Sequence, residues 1–247
     1  MKITVITLFP AMIDPFVKES IIKRAQEKGV VEIAVINLRD FAKDSYGTVD
    51  DKPYGGGAGM VLRGDVLHEA IAKAGNGHVV LTSAKGNPYT QEKAREFSKL
   101  EHLVIVAGHY EGVDERIMKE IHEEVSLGDF VMTGGEIAVA AILDSVARLV
   151  PGALKKDEAT DIESFKSYTV SDIERAVGFH STLESLKERK IESVKLLEYP
   201  HYTRPELLDG EGVPEILTSG DHKKIESWRL KMAFEETLTK RPDLLGK

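Results

Sequence analysis

The densest candidate for ligand chemistry in this 247-residue chain is the glycine-rich stretch DKPYGGGAGMVL at residues 51–62. Four glycines within five residues let the backbone turn sharply and approach a ligand closely. The dinucleotide fingerprint G-x-G-x-x-G fails here because Leu62 occupies its last position, and the chain contains no G-x-x-x-x-G-K-[ST] phosphate loop. The residues alone leave two interpretations open, a ligand-binding loop and a mobile surface loop.

Three further glycine-containing loops lie beside apolar runs: TSAKG at 82–86, AGHYEGVDER at 107–116 and SLGDFVMTGGE at 126–136. In open α/β sheets, ligands bind at the carboxyl ends of the strands, so these loops could line one crevice. Their backbone N–H and C=O groups would suit a flat, neutral heterocycle such as adenine. The pattern therefore predicts one ligand-binding crevice without a phosphate cradle.

Charged side chains are concentrated in and near these loops, at Glu111, Asp114, Arg116, Asp129 and Arg148. Each one alone could form a salt bridge or cap a helix. Asp114 in particular is a natural cap, because it directly precedes a helical run. A glycine loop has no structural need for so many charges, so the group as a whole favours a functional site.

The residue patterns of several other chemistries are missing. The eight histidines show no H-x-x-x-H or H-E-x-x-H spacing and the chain has no cysteine, which argues against a zinc site and a thiolate site. Ser83 lacks the G-x-S-x-G elbow of α/β-hydrolases. No metal-ligating residues are therefore assigned.

The distribution of charge and glycine predicts two domains. The net charge of −8 gives no support to nucleic-acid binding by the chain as a whole. Residues 1–152 hold 17 Lys and Arg, whereas the much shorter segment 153–247 holds 16. Of the 21 glycines, 16 precede residue 153. The first part is thus rich in loops and glycine, and the second is rich in helix and charge.

The elements that must position these residues follow from the apolar pattern. Apolar runs bounded by turn residues predict buried strands at 3–8, 31–38, 78–82, 103–107 and 130–132. Helical periodicity predicts helices at 15–28, 65–74, 90–100, 115–124 and 136–149, and an amphipathic closing helix at 221–238. Strands and helices alternate in the first part, which predicts an α/β fold with a mainly parallel sheet.

Beyond Pro151 the pattern changes. Residues 153 to 192 read as a charged linker with one or two surface helices. No run of about 18 apolar residues occurs and the first residues do not resemble a signal peptide, so we expect no membrane partner and a cytoplasmic location.

Five motifs resemble those of the bacterial tRNA (guanine-N1)-methyltransferases. They are PYGGGAGMVL at 53–62, GHYEGVDER at 108–116, GDFVMTGGE at 128–136, YPHYTRP at 199–205, and LTSGDH at 217–222 followed by Trp228 and Arg229. The resemblance implies a SPOUT-type α/β fold, with a C-terminal trefoil knot in the catalytic and cofactor-binding domain (1–152). A linker or lid (153–175) and a small helical tRNA-binding domain (176–247) would follow.

The resemblance also implies an activity. The family transfers a methyl group from S-adenosylmethionine to N1 of the guanosine directly 3′ of the anticodon in tRNA. Its members are homodimers whose active sites lie at the subunit interface, and they depend on Mg²⁺, for which the sequence indicates no site.

Carried onto this chain, the resemblance assigns residues to three roles. Those implied at the cofactor are Ser83, Gly86, Gly108, Tyr110, Glu111, Gly112, Leu127, Gly128, Asp129, Phe130, Val131, Met132 and Gly135. Those implied at the substrate are Tyr54, Gly57, Gly59, Asp114, His201 and Arg204. Arg148 resembles the arginine that assists at the guanine.

This chain departs from the family pattern at three places. It has SAKG at 83–86 where the family usually has S-P-Q-G, and His109 where the family usually has arginine. The family's general base is the aspartate of an Asp-Ser-Phe motif in the interdomain linker. Here the nearest match is Glu163-Ser164-Phe165, with Asp161 two residues earlier, so the base assignment stays open between Asp161 and Glu163.

The implied reaction explains why these residue types are needed. N1 of neutral guanine carries a hydrogen, and a carboxylate that removes it would accelerate the reaction by about 10²–10⁴-fold. An arginine would stabilise the negative charge that develops toward O6. We expect the base to be flipped out of its stack and the phosphates to meet local cations. The candidate cations are Lys155, Lys156, Arg204, Lys223, Lys224, Arg229 and Lys231.

Two alternative functions stay open at this point. One is a SPOUT-type methyltransferase that acts on another RNA base. The other is an RNA-binding protein that has the fold without the activity.

Overall fold

The computed structural model describes residues 1–155 and 162–246. The chain divides into two compact units, Met1–Asp157 and Glu158–Lys247. Asp161, one of the two candidates for the general base, lies outside the described residues, as does Lys156. Within the described residues, no helix is both long and apolar enough to span a bilayer.

A five-stranded parallel sheet forms the centre of the first unit, with the strand order β2-β1-β6-β5-β7. Its strands are β1 (Lys2–Thr7), β2 (Glu32–Asn37), β5 (His78–Pro88), β6 (His102–Val106) and β7 (Glu123–Ser126). Residues 79–81 of β5 and 103–106 of β6 are continuous apolar runs, because both faces of a parallel sheet are covered by helices. The predicted α/β fold with a mainly parallel sheet is confirmed.

Helices cover both faces of this sheet and produce two separate apolar cores. They are α1 (Pro10–Val17), α2 (Ser20–Glu27), α3 (Gly64–Ala74), α4 (Gln91–Phe97) and α5 (Glu136–Ala147). Ile105 packs with residues of α1, α2, α4 and α5, whereas its neighbours Val104 and Val106 pack with residues of α3. This division follows from the alternation of side chains along a strand.

A short hairpin presents the glycine-rich stretch. Its strands are β3 (Asp50–Asp51) and β4 (Val61–Leu62), which pair antiparallel. Residues 52–60 form the connection between them. The glycines therefore lie at the tip of a hairpin and not at the start of a helix, as the failed dinucleotide fingerprint indicates.

The second unit has its own small core. Antiparallel strands β8 (Lys166–Thr169) and β9 (Ser193–Leu196) accompany helices α6 (Val170–Val177), α7 (Ser181–Glu188) and α9 (His222–Lys240). Phe234 of α9 is fully buried among Ile173, Leu183 and Leu196. The remaining elements are β10 (Leu207–Leu208), β11 (Glu211–Gly212) and α8 (Glu215–Thr218). The predicted closing helix and its Asp221 cap are confirmed.

Three element predictions for the first unit are wrong. The predicted strand 130–132 is an exposed loop, and the fifth strand is β7, which the sequence indicates as the end of a helix. Residues Glu115–Glu120 form only a 3₁₀ turn. The predicted helix 15–28 is two helices, with a break at Lys18 and Glu19. In the case of β7, the strand lies at the sheet edge and reads Glu-Glu-Val-Ser, so its apolar signal is too weak to detect.

We predict that the packing of α5 on the sheet contributes strongly to stability. Ile142 is fully buried on this helix. Ile142→Val should reduce the free energy of unfolding by about 0.5–1.5 kcal/mol and Ile142→Ala by about 2–5 kcal/mol, since the second change leaves a larger cavity. Chemical denaturation measures both values. Equal losses for the two variants would show that this side chain is not tightly enclosed.

Candidate active site

A cleft of about 380 Å³ opens at the carboxyl ends of β6 and β7, beside the middle of β5. Three chain segments line it: residues 81–85 of β5, the loop that follows β6, and residues 124–128 with 130–135. These are the three glycine-containing loops that the sequence singles out. Their convergence is the expected arrangement, because parallel strands end at a common edge.

Most of the residues assigned to the cofactor by resemblance line this cleft. They are Ser83, Gly108, Tyr110, Glu111, Gly112, Leu127, Gly128, Phe130, Val131, Met132 and Gly135. Among the described residues of that assignment, Gly86 and Asp129 do not line it. A Cβ at Gly86 would lie 2.5 Å from the backbone nitrogen of Val125, so this glycine lets β5 approach β7.

Two glycines allow the loops to meet at the base of the cleft. A Cβ at Gly135 would lie 2.1 Å from the hydroxyl of Thr82, and one at Gly108 would lie 2.2 Å from the carbonyl oxygen of Thr82. The backbone nitrogen of Gly108 donates to the Thr82 hydroxyl at 3.0 Å, and that of Gly135 donates to the Gly108 carbonyl at 2.7 Å. Side chains at either glycine would therefore separate the loops.

The loop after β6 turns through a left-handed residue. Tyr110 has φ +56° and Gly112 has φ +124°, and the backbone nitrogen of Gly112 donates to the carbonyl of His109 at 3.0 Å. The turn leaves the Tyr110 side chain half exposed in the cleft. Burial, followed by a hydrogen bond with Asp50, raises the pKa of the Tyr110 phenol.

The glycine-rich hairpin is joined to this same loop. The backbone nitrogen of Glu111 donates to the carbonyl of Met60 at 3.0 Å, and that of Leu62 donates to the carbonyl of Gly112 at 2.9 Å. The Glu111 side chain lies against Gly59, where a Cβ would be 2.5 Å from its Oε1. Tyr54 at the hairpin tip is fully exposed. Gly59 and Glu111 thus couple the hairpin to the cleft.

Asp114 caps the 3₁₀ turn Glu115–Glu120 as expected, since its carboxylate accepts from the backbone nitrogen of Arg116 at 2.9 Å. The Arg116 guanidinium donates two more hydrogen bonds, from Nε at 2.9 Å and from Nη2 at 2.7 Å. These contacts lower the pKa of Asp114 from 3.8 to about 2. The same pair raises the pKa of Arg116.

Arg148 is placed at the carboxyl end of α5, where it is half-buried. It does not line the cleft of the first unit.

In the second unit, the half-buried Glu163 precedes Ser164, whose hydroxyl accepts from the backbone nitrogen of Glu198 at 3.0 Å. Phe165 follows with φ +70°, so the Glu-Ser-Phe segment makes a defined turn.

Aromatic and basic side chains are grouped in the second unit. The Arg229 guanidinium lies 5.0 Å from the Tyr199 ring centre, and the rings of Tyr199 and His201 are 4.7 Å apart. The rings of Tyr202 and Trp228 are 6.4 Å apart. The buried Nε of Arg229 has no hydrogen-bond partner among the described residues. Arg204 is exposed.

Several buried polar residues around the cleft are not among the predicted site residues. Thr7 and Thr82, which end or interrupt apolar strands, are buried at the sheet edge, and Glu136 is buried at the start of α5. Their signal in the sequence is a polar residue that immediately follows an apolar run. That signal does not by itself distinguish a buried hydrogen-bonding group from the first residue of a loop.

A parallel α/β unit with a glycine-lined cleft at the carboxyl ends of its strands has the arrangement in which open α/β domains bind small ligands. The family model described as tRNA (Guanine-1)-methyltransferase TrmD matches residues 1–247. The chain therefore belongs to the tRNA (guanine-1)-methyltransferase family.

Curated relatives cover nearly the whole chain. A tRNA (guanine-N(1)-)-methyltransferase of Carboxydothermus hydrogenoformans is 46% identical over 99% of this chain and 87% of its own length. That of Geobacter sp. strain M21 is 47% identical over 99% and 90%. That of Desulfitobacterium hafniense is 45% identical over 100% and 85%.

The low pKa of Asp114 predicts a pH-dependent contribution to stability. Because the folded-state pKa is depressed, the contribution is present above about pH 4 and is lost as the pH falls through about 2. Asp114→Asn should therefore lower the melting temperature at neutral pH, and the difference from wild type should shrink below about pH 4.

Arg116→Met provides the matched test, because it keeps the carboxylate and removes its guanidinium partner. Thermal melts across the acidic range should show the same convergence for both variants. A difference that stays constant down to about pH 2 would contradict the assigned cause.

Proposed function

We propose that this chain transfers a methyl group from S-adenosylmethionine to N1 of the guanosine directly 3′ of the anticodon in tRNA. The observation that carries the proposal is the family match over residues 1–247, together with a cleft lined by eleven of the thirteen residues assigned to the cofactor. The chain is an enzyme of the methyltransferase class. The choice of nucleoside within the tRNA rests on the resemblance of the motifs.

The lining of the cleft suits S-adenosylmethionine. Much of the lining is glycine, at Gly108, Gly112, Gly128 and Gly135, which lets a flat, neutral adenine approach the main chain closely. The cleft is lined by three acidic side chains, Glu111, Glu115 and Glu124, and by one lysine, Lys85. This excess of negative charge favours a ligand that carries a sulfonium cation. Bound there, the donor supplies an already activated methyl group, so the protein's task is mainly orientation.

The residues of this chain would handle the proton and the developing charge. We assign the general base to the linker carboxylates, Asp161 or Glu163, either of which would remove the hydrogen from N1 of guanine. We assign Arg148 to stabilising the negative charge that develops toward O6. A segment that orders over the flipped base would exclude water from the site.

We propose that the catalytic unit carries the SPOUT trefoil knot and acts as a homodimer. The close contact of the loop after β6 with residues 133–135 supports the knot, since the backbone nitrogen of Gly135 donates to the Gly108 carbonyl at 2.7 Å. Large apolar side chains exposed near the cleft support the dimer, with Val131 at 88% exposure and Ile137 at 58%.

We assign catalysis to residues 1–152, the linker to 153–175 and tRNA binding to 176–247. Within the linker range, β8 and the start of α6 pack into the core of the second unit. The grouped Tyr199, Arg229 and Trp228 offer stacking faces and a guanidinium of the kind that RNA-binding surfaces use. Asp114, Tyr54 and the hairpin glycines would contact the RNA from the catalytic unit. The Mg²⁺ requirement stays a prediction without a location, because the described residues contain no group of three potential ligands.

Methyl transfer to a tRNA transcript tests the function directly. The transcript with guanosine 3′ of the anticodon should yield N1-methylguanosine, identified by mass spectrometry, and one with adenosine there should not. Of the variants Asp161→Asn and Glu163→Gln, the one that removes the base should lose about 10²–10⁴-fold in kcat. Full activity in both variants would exclude the linker carboxylates as the base. An unmodified guanosine transcript would refute the function.

The contact between Gly59 and Glu111 generates a second prediction. In Gly59→Ala the new Cβ would displace the Glu111 side chain, and a misplacement of about 1 Å at an active site can cost about 10²-fold in activity. Gly56→Ala is the matched control, because Gly56 has a similar φ of +81° but nothing within 4 Å of its Cβ position. Equal methyl transfer by the two variants would show that Glu111 need not keep this position.

A further inference from the structure

A buried carboxylate lies behind the cleft and takes no part in the assignments above. Glu136, the first residue of α5, is only 2% exposed. Its Oε1 accepts a hydrogen bond from the Thr7 hydroxyl at 2.7 Å, and its Oε2 lies 3.1 Å from Nε2 of His109. Glu136 itself does not line the cleft, whereas His109 does.

Burying a carboxylate costs free energy unless partners compensate for the lost water. Three are present: the Thr7 hydroxyl, the His109 ring and the amino end of α5, whose dipole favours negative charge. His109 is itself confined, with a side chain 11% exposed and its ring 5.2 Å from that of Phe9 and 5.3 Å from that of Tyr110. The pair is therefore held in one geometry.

The same contacts connect two segments of the cleft wall. His109 and Gly134 form a β-bridge, and a Cβ at Gly134 would lie 2.1 Å from Nε2 of His109. Through Thr7 the carboxylate is also attached to the end of β1, where the Thr7 hydroxyl accepts from the backbone nitrogen of Phe9 at 2.9 Å. Glu136 thus fixes the loop after β6 relative to residues 133–135 and the sheet.

We propose that Glu136 is a positioning residue, which acts through His109 to set the separation of the two loops that hold the methyl donor. The inference rests on the proposed function, because it assumes that S-adenosylmethionine occupies this cleft. Glu136 touches neither the donor nor the base, so its effect is expected on donor binding and not on the chemical step.

The main test is Glu136→Gln, which keeps the shape of the side chain and removes its charge. With tRNA saturating, the KM for S-adenosylmethionine should rise about tenfold or more while kcat at saturating donor stays within about twofold, as expected when only binding is lost. Thr7→Val removes the other partner and should move the KM in the same direction. Should Glu136→Gln fail to fold, Thr7→Val carries the test alone.

The chain provides a matched control at the amino ends of the strands of the same sheet. His78 and Glu123 form a similar pair, with Nε2 2.7 Å from Oε1, at the starts of β5 and β7 and away from the cleft lining. Glu123→Gln should leave the KM for the donor unchanged. In His109→Gln combined with Glu136→Gln, the loss should be smaller than the product of the single losses, because the two residues act as one unit.

Calorimetric measurement of S-adenosylmethionine binding without tRNA tests the proposed function and the positioning role of Glu136 separately. No binding by the wild-type protein would refute the proposed function. Binding by the wild type and equal binding by Glu136→Gln would refute only the positioning role. A fall in kcat at unchanged KM would also overturn the positioning role. So would a lower melting temperature with unchanged kinetics, because the pair of Glu136 and His109 would then be purely structural.

Discussion

At the carboxyl ends of the parallel strands, the main chain at Gly108 and Gly135 approaches Thr82 more closely than a Cβ atom would permit. Thr82 is the centre of this contact: its hydroxyl and carbonyl oxygens occupy the space where side chains at Gly135 and Gly108 would otherwise lie. Only residues without a Cβ allow three connections to meet at one point. The cleft depends on this close contact, because the segments that meet at Thr82 also form its walls.

The sheet provides the rigidity that such a cleft needs. Strands β1 and β6 are buried on both faces, and the helices on either side form separate apolar cores. Close packing of this kind transmits displacement and tolerates little change of volume. The buried hydroxyls of Thr7 and Thr82 are hydrogen-bonded, to Glu136 of α5 and to the backbone nitrogen of Gly108 respectively. Residues that contact a ligand are thereby held by elements that do not move independently.

The acidic residues near the cleft differ in role because their surroundings differ. Glu136 is enclosed and bound on both oxygens, so it can support neighbouring groups without reaching the ligand. Asp114 is held ionised by Arg116 at the end of the loop. Glu111 faces the cleft and rests on a glycine of the hairpin. In the proposed reaction none of these three carboxylates takes the proton, which goes instead to Asp161 or Glu163.

Local patterns in the sequence determined much of this protein. The continuous apolar runs specify parallel strands, Asp114 and Asp221 specify caps, and the glycine loops indicate the cleft. Each of these signals lies within about ten neighbouring residues. The order of the motifs also indicates the family, and with it the activity. These features could be predicted because local conformation and burial are encoded by residues close together in the chain.

The tertiary structure alone decided the rest. Strand β7 forms from a charged segment because β5 offers it an edge, and the apolar residues 130–132 are exposed within the part of the chain that the structure describes. Gly86 serves strand packing instead of the cleft lining. Thr7 and Glu136 are 129 positions apart, and their hydrogen bond exists only because β1 and α5 meet at one edge. Contacts between distant segments depend on how the elements pack, which no local pattern records.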